Sequence, residues 1–419
     1  MEPTAAYLHR KRQEIALFIR CLARPWLAAP ARSIEDVIEQ KFRLSAELKA
    51  EALLDRWWLT ETNWTGRTGA RIGPFEIAYG YQRADLVIRG PLPYRALVCS
   101  TDHDVHYASY TSSGMSAMAA LLVALERALG AVHLLASPQC YSETLEFIRL
   151  YDRNLSLHCG AGEAASSNSV RLIDSARADD PSRLGEPRGN ACGLVLVDTS
   201  CWGADAAPLG RVLAWCAKAG LPAILVRSHT KLDSLGVEYG RLGSAVFIVP
   251  RRNCAASVRA MLEQLAAEMG SAVRLFGVAA DPAHLPPFWD SESWPKLSAQ
   301  RSAFIVRNNL YAAHALQSDL ADAAEIGTYH HGAYFTLGAT QDWDQSTAWQ
   351  IAGAVAAQLE QEGLPARHAG SFGFDFVGIE DFPDPTRERR LIRVAMADLP
   401  GALTARISER IAAWWRANI

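Results

Sequence analysis

Apolar and polar positions fall into blocks along this chain, and the blocks change character twice. Up to about residue 65 the spacing is helical. Between residues 36 and 54, Ala and Leu recur with Glu and Lys at three- and four-residue steps, and Trp57-Trp58 closes the run. Gly66, Gly69, Gly73 and Pro74 then read as a loop. Beyond it, short apolar runs alternate with helical ones. Residues 132–135, 155–158, 170–173, 194–197, 223–226 and 245–249 predict strands, and 142–152 and 210–219 predict helices between them. A longer helix opens at Ser112-Ser113-Gly114-Met115. Met115, Met118, Leu122, Leu125 and Leu129 lie on one face, and Gly130 stops it. Strands of unbroken apolar character joined by helices predict a mostly parallel sheet covered on both faces.

Pro282, Pro286, Pro287 and Pro295 mark a boundary. After it, residues 302–306, 333–337 and 391–396 predict strands, and 347–362 and 403–417 predict helices, as in a smaller α+β domain. The expected organisation is an N-terminal helical arm over 1–74, a large α/β domain over 75–285 and a small α+β domain over 286–419. The segment 160–190, rich in Gly, Ser and Asp, reads as loops around one strand.

Composition narrows the function classes. At 49% hydrophobic and 21% charged the chain is ordinary for a globular protein, and 419 residues suit two or three domains. Lys and Arg number 42 against 45 Asp and Glu, so no basic excess draws the chain to nucleic acid or anionic lipid. The longest plain apolar run, 117–125, falls short of the ~20 residues that cross a bilayer. Arg10, Lys11 and Arg12 are flanked by Glu2 and Glu14 and precede no apolar core with a cleavage site, so no signal peptide is expected. The eight cysteines form no CxxC pair and read as buried, reduced thiols in a cytoplasmic protein.

Three places could carry chemistry. The Ser112-Ser113-Gly114 turn at a helix start offers hydroxyls, backbone N–H groups and the positive end of the helix dipole, which together suit a phosphate. Its plain reading is a serine cap. Lys231 follows the apolar strand 222–226 in Ser228-His229-Thr230-Lys231, where open α/β sheets bind ligands and where a desolvated lysine can form a Schiff base; its plain reading is a surface lysine. Asp198 closes a strand in Val197-Asp198-Thr199-Ser200, placed to pair with a protonated ring nitrogen or merely to cap a helix. Three other clusters read as structural. Asp102-His103-Asp104-Val105-His106 is a polar loop rather than a metal site, Gly236, Gly240 and Gly243 imitate a nucleotide loop, and His330-His331 stands near Tyr334.

In their order and spacing these motifs resemble the fold type I pyridoxal-phosphate enzymes, in particular the cystathionine γ-synthase, cystathionine γ-lyase and methionine γ-lyase group. Tyr81-Gln82-Arg83 is similar to that family's Tyr-x-Arg, Ser113-Gly114-Met115 to its phosphate turn, and Tyr141 to the tyrosine that stacks on the cofactor ring. Asp198 lies in a Val-Asp-Asn-Thr-like sequence, and Ser228-His229-Thr230-Lys231 mirrors Ser-Ala-Thr-Lys. Ser371 before Phe372-Gly373, and Arg393 in Leu391-Ile392-Arg393-Val394, also have counterparts. The chain departs from the family after Arg83, after Tyr141 and after Lys231, and Ser175 is a weak stand-in for the segment beside the cofactor's phenolic oxygen.

The resemblance implies an α/β fold with a mostly parallel, seven-stranded-type sheet, and pyridoxal 5'-phosphate as cofactor with no metal. It makes Lys231, Tyr141, Asp198 and Tyr81 the catalytic group. Ser113, Gly114, Met115, Tyr141, Asp198, Ser228, Thr230, Lys231 and Arg83 would hold the cofactor, with Arg83 reaching a neighbouring subunit of a homodimer or homotetramer. Arg393, Ser371 and Tyr81 would meet an amino-acid substrate, Arg393 through its α-carboxylate. The implied reaction is elimination or replacement at Cγ or Cβ of an α-amino acid, with loss of halide from an unsaturated halogenated amino acid, leaving an alkyne, as a special case in specialised metabolism. An aminotransferase and a catalytically silent binding or regulatory subunit are the competing readings.

Overall fold

A computed structural model describes residues 2–24, 29–55, 70–79, 86–94, 102–151, 154–158, 169–177, 180, 182–184, 192–237, 239, 241–252, 254–384 and 387–419. It divides into two compact units: Lys49–Thr230 with Gly240–Asp290, and Met1–Leu48 with Lys231–Tyr239 and Ser291–Ile419.

The first unit carries an antiparallel sheet of β1 (Ala70–Ile72), β2 (Phe75–Tyr79) and β3 (Leu86–Arg89). Its main sheet has seven strands: β4 (His103–Thr111), β5 (Val132–Leu135), β6 (Leu155–His158), β7 (Ser169–Asp174), β8 (Leu194–Asp198), β9 (Ala223–Ser228) and β10 (Gly243–Pro250). They lie in the order β4-β10-β9-β8-β7-β5-β6. β9, β8, β7, β5 and β6 pair in parallel, and β10 runs antiparallel to both β9 and β4. This is the mostly parallel seven-stranded sheet that the resemblance implied.

Alternation explains why these strands read as unbroken apolar runs. Leu194, Leu196, Ile224, Val226, Ala245 and Phe247 join one core with the helices Gly114–Leu129, Ser142–Leu150 and Ala256–Phe276. Val195, Val197, Leu225, Val246 and Ile248 join a second core with the helix Ala207–Ala219. Both faces are buried, so neither needs polar residues, and each fully buried aliphatic side chain contributes roughly 1.5–3 kcal/mol. Of the stretch 102–106, expected as a loop, residues 103–106 instead begin β4, an edge strand that tolerates polar side chains on its open side.

The second unit holds a five-stranded sheet of β11 (Glu325–Thr328), β12 (Phe335–Gly338), β13 (Ala366–His368), β14 (Val377–Pro383) and β15 (Arg390–Ala395), in the order β11-β12-β15-β14-β13. The strand expected at 302–306 lies within the helix Trp294–Leu320. The run Ala303-Phe304-Ile305-Val306 is strand-like by itself, yet Leu297, Arg301, Ile305, Asn308 and Ala312 are buried at three- and four-residue steps. Arg301 and Asn308 hide that period in the sequence because polar residues occupy inward positions. Pro295 falls in the helix's first turn, where no N–H is required.

The helix Thr4–Cys21 belongs to this unit. It is fastened by buried charge. Lys11 Nζ lies 2.5 Å from Asp375 and 2.8 Å from Asp398, and Lys41 Nζ lies 2.5 Å from both Glu14 and Asp375. Arg301 pairs with Asp375 at 2.6 Å and Asp398 at 2.5 Å, and Arg10 pairs with Asp398 and Glu2. Lys11, Glu14, Lys41, Arg301, Asp375 and Asp398 have no exposed surface. Such charges persist in a core only when paired and hydrogen-bonded. Burial would raise the carboxyls of Asp375 and Asp398, but the surrounding cations, Arg301 and Lys11 foremost, outweigh it and hold both below the usual carboxylate range.

Candidate active site

In open α/β sheets ligands gather at the carboxyl ends of the parallel strands. Register brings Thr111 of β4, Gly243 of β10 and Ser228 of β9 side by side at that edge of the large unit. The Ser112-Ser113-Gly114 turn opens there. Ser113 is the extended N-cap of the helix Gly114–Leu129, and its Oγ accepts from Ser116 N at 3.0 Å. Ser112 Oγ and Ser113 Oγ lie 3.0 and 2.9 Å from Ser116 Oγ, and Ser228 Oγ lies 2.9 Å from Thr230 Oγ1. The two hydroxyl groups of residues meet through glycine. A Cβ on Gly114 would stand 2.8 Å from Ser228 Cβ, and one on Gly243 would stand 2.1 Å from Ser113 O. The backbone is therefore drawn in close, and rotatable hydroxyls surround a helix start that has N–H groups to offer. Of the residues expected to form the phosphate turn, Ser113, Gly114, Ser228 and Thr230 are brought together. Met115 follows in the helix, where its sulfur accepts from Thr144 Oγ1 at 3.8 Å.

Along the same edge stand the ends of β7 and β8, where Asp174 and Asp198 are paired in register. Asp198 is 9% exposed, and its Oδ1 accepts from Ser200 N at 2.8 Å. Asp174 Oδ2 accepts from Tyr141 N at 2.7 Å and its Oδ1 from Ala176 N at 2.8 Å. Tyr141 is thus held at the head of the helix Ser142–Leu150 by a carboxylate one strand from Asp198. Ser175 is buried and turned inward, its Oγ accepting from Cys201 N at 2.9 Å. Asp174 went unnoticed in the sequence; a second carboxylate closing a strand was its only local sign.

The second unit assembles another group. Trp294 Nε1 donates to Asp233 O at 3.2 Å and Ser45 Oγ to Val237 O at 3.5 Å, while Lys41 Nζ donates to Leu235 O. These bonds seat the 231–239 segment. Lys231 Nζ lies 4.9 Å from the centroid of Phe372. Phe372 packs on Tyr334 at 5.7 Å, and Tyr334 in turn covers the Arg393 guanidinium at 4.9 Å, with Phe382 at 4.8 Å. Arg393 Nε donates to Glu380 Oε1 at 2.6 Å, Nη2 donates to the same oxygen, and Ser371 N reaches it at 2.8 Å. Ser371 adopts φ +89°, a strained backbone for serine. Glu380 was missed because only the β14–β15 register sets it opposite Arg393.

His331 is buried, its Nδ1 accepting from Ala333 N at 3.0 Å, and its ring packs 4.5 Å from Tyr334; His330 is exposed. Asp104 pairs with Arg251 at 2.7 Å, and no cluster of three or more metal-suited side chains occurs among the described residues. Tyr81 and Arg83 lie outside the described residues. No helix among the described residues is long and apolar enough to cross a membrane.

No protein-family model and no curated protein matches the chain. Solved structures similar to it include metB of Corynebacterium glutamicum, at 13% identity and TM-score 0.48 over 74% of this chain and 81% of that one. Cystathionine gamma synthase of Xanthomonas oryzae pv. oryzae, in complex with aminoacrylate and cysteine, is 14% identical at TM-score 0.48, over 74% and 82% of the two chains. The apo methionine gamma lyase CalE6 of Micromonospora echinospora is 16% identical at TM-score 0.48, over 73% and 81%. The strand order of the large sheet, with its one reversed inner strand, carries the fold.

Proposed function

We propose that this chain is a pyridoxal-phosphate-dependent enzyme that eliminates or replaces a group at Cγ or Cβ of an α-amino acid. The observation that carries the cofactor reading is the Gly114–Ser228 approach, which gathers Ser112, Ser113, Ser116, Ser228 and Thr230 around a helix start at the sheet's carboxyl edge. That cradle suits a phosphate dianion, and Asp198, two positions before Ser228 in the β8–β9 register, suits the protonated nitrogen of a pyridine ring. When bound, the cofactor supplies an electron sink for carbanion chemistry.

The chain's own residues take the remaining roles. The hydroxyls of Ser113, Ser228 and Thr230 donate to phosphate oxygens. Asp198 keeps a proton on the ring nitrogen. Tyr141, steadied by Asp174, covers the ring. Lys231, next to Thr230 in the chain, would hold the cofactor through its amine and, once the substrate's own amine has taken its place, would be free to move the Cα proton. Arg393 orients the carboxyl end of the substrate, and Ser371 helps to position it. By the sequence resemblance alone, Arg83 would reach the phosphate from a neighbouring subunit and Tyr81 would join the catalytic group. The choice of elimination or replacement over amino transfer rests on the sequence resemblance.

The test is covalent. Cofactor-free protein is incubated with pyridoxal phosphate, reduced with borohydride and mapped by peptide mass. An adduct on Lys231, absent from Lys231→Ala, is expected. An adduct elsewhere, or none, overturns the cofactor reading. Release of ammonia with a keto acid, or exchange of a side-chain nucleophile, supports the reaction class; amino transfer to pyruvate contradicts it.

A further inference from the structure

Arg393 is the residue expected to receive a carboxylate, yet it already has one. Glu380 stands directly across the β14–β15 ladder, and one of its oxygens accepts from both Nε and Nη2. That edge of a guanidinium is the one that matches a carboxylate side-on. Tyr334 and Phe382, themselves in ring contact at 5.7 Å, both pack against the same guanidinium, at 4.9 and 4.8 Å. Glu380 is not a passing surface partner. Ser371 N donates to the same oxygen, a Cβ on Gly370 would stand 2.9 Å from its other oxygen, and the pair's side chains are only 10% and 20% exposed. The turn that supplies Ser371 N holds that residue at φ +89°. Backbone strain, a close-packed glycine and a ladder position all converge on keeping this carboxylate in place.

A ligand that brings its own carboxylate to Arg393 must displace Glu380 or bear a like charge beside it. A ligand whose carboxyl carbon is an amide or ester brings an acceptor and no charge. We propose that Glu380 is a specificity-determining residue that holds the Arg393 pocket electrically neutral. It disfavours free α-amino acids and selects amino-acid derivatives with a masked carboxyl group. This inference rests on the reading of Arg393 as the residue that meets the substrate's carboxyl end.

The test compares two probes on the holoenzyme, L-alanine and L-alaninamide, at matched free-amine concentration, with binding followed by the absorbance of the cofactor. The amide is expected to bind at least about tenfold more tightly, the effect of one modest like-charge contact. Glu380→Gln, which keeps an acceptor for Arg393 and Ser371, should bring the two within about threefold by tightening alanine. Equal or tighter binding of alanine by the wild type overturns the proposal, as does an unchanged ratio in the variant. If the variant does not fold, the wild-type ratio decides. A second measurement needs no cofactor: at equal ionic strength, acetate should raise the melting temperature of cofactor-free Glu380→Gln and not of the wild type. Wild-type protein stabilised by acetate as strongly as the variant also overturns the proposal. Failure of the cofactor reading shows separately, as no adduct on Lys231 and no absorbance change with either probe.

Discussion

Gly373 lies against the carbonyl of Lys231, so close that a Cβ on it would stand 2.2 Å from that oxygen. The contact is held from behind. Arg301 Nη2 donates to Gly373 O at 2.9 Å and its Nη1 pairs with Asp375 at 2.6 Å. A buried ion cluster thereby positions the turn on which the lysine's backbone rests.

Gly373→Ala should displace Lys231 without unfolding the unit. Gly373 also has φ +89°, where a side chain costs about 1–2 kcal/mol. The yield of borohydride-trapped cofactor on Lys231 is expected to fall several-fold while far-UV circular dichroism stays unchanged. Wild-type yield would contradict the contact's role.

Gly114→Ala should weaken cofactor binding. Its Cβ would press on Ser228 Cβ at 2.8 Å and on Ser228 backbone at 3.0 Å. Overpacking of this kind costs about 1–3 kcal/mol, so affinity for pyridoxal phosphate should drop by about tenfold or more in a fluorescence titration. Gly210→Ala is the control, since a Cβ there meets nothing within 4 Å. Equal affinities in the two variants would remove the phosphate turn from its role.

Acid should unfasten the second unit. Asp375 and Asp398 have folded pKa values below their unfolded ones, so their contribution to stability is present above about pH 4 and is lost as pH falls toward the depressed folded values. The melting temperature is expected to decline below about pH 5, and Asp375→Asn should decline less steeply. At neutral pH that variant should lose about 3–5 kcal/mol, because Lys11, Lys41 and Arg301 are left short of a buried partner. Calorimetry across pH reads both effects, and parallel pH slopes would refute the assignment.

Buried thiols should be silent. Burial pushes the Cys216 thiol up to about 12 and raises those of Cys140 and Cys192. At pH 8 these three should resist alkylation in the native protein and react in denaturant, as read by peptide mass mapping. Rapid native labelling of Cys216 would show that the core around the helix Ala207–Ala219 opens.

Legibility in the sequence followed burial. Strands β8, β9 and β10 stood out because both faces are covered and the runs 194–197, 223–226 and 245–249 are unbroken in apolar residues. β4 did not, because an edge strand carries polar residues and resembles a loop. The helix Trp294–Leu320 hid part of its period because Arg301, Asn308 and Asn309 face inward to bind carboxylates and carbonyls. At the site, Ser113, Gly114, Asp198 and Lys231 stood out because their chemistry depends on a short local pattern. Asp174 and Glu380 did not, since each acts on a residue far away in the chain.

What the sequence determined by itself is therefore the set of groups bound to local geometry: a serine-glycine turn opening a helix, a carboxylate closing a strand, a lysine just past a buried one. Tertiary structure decided which distant groups answer them. It set Asp174 under Tyr141, Gly373 against Lys231 and Glu380 on Arg393. The physical reason is that a turn or a cap is formed by neighbours in the chain, whereas pairing across a ladder or within a buried ion cluster depends on register and packing, which no local pattern contains.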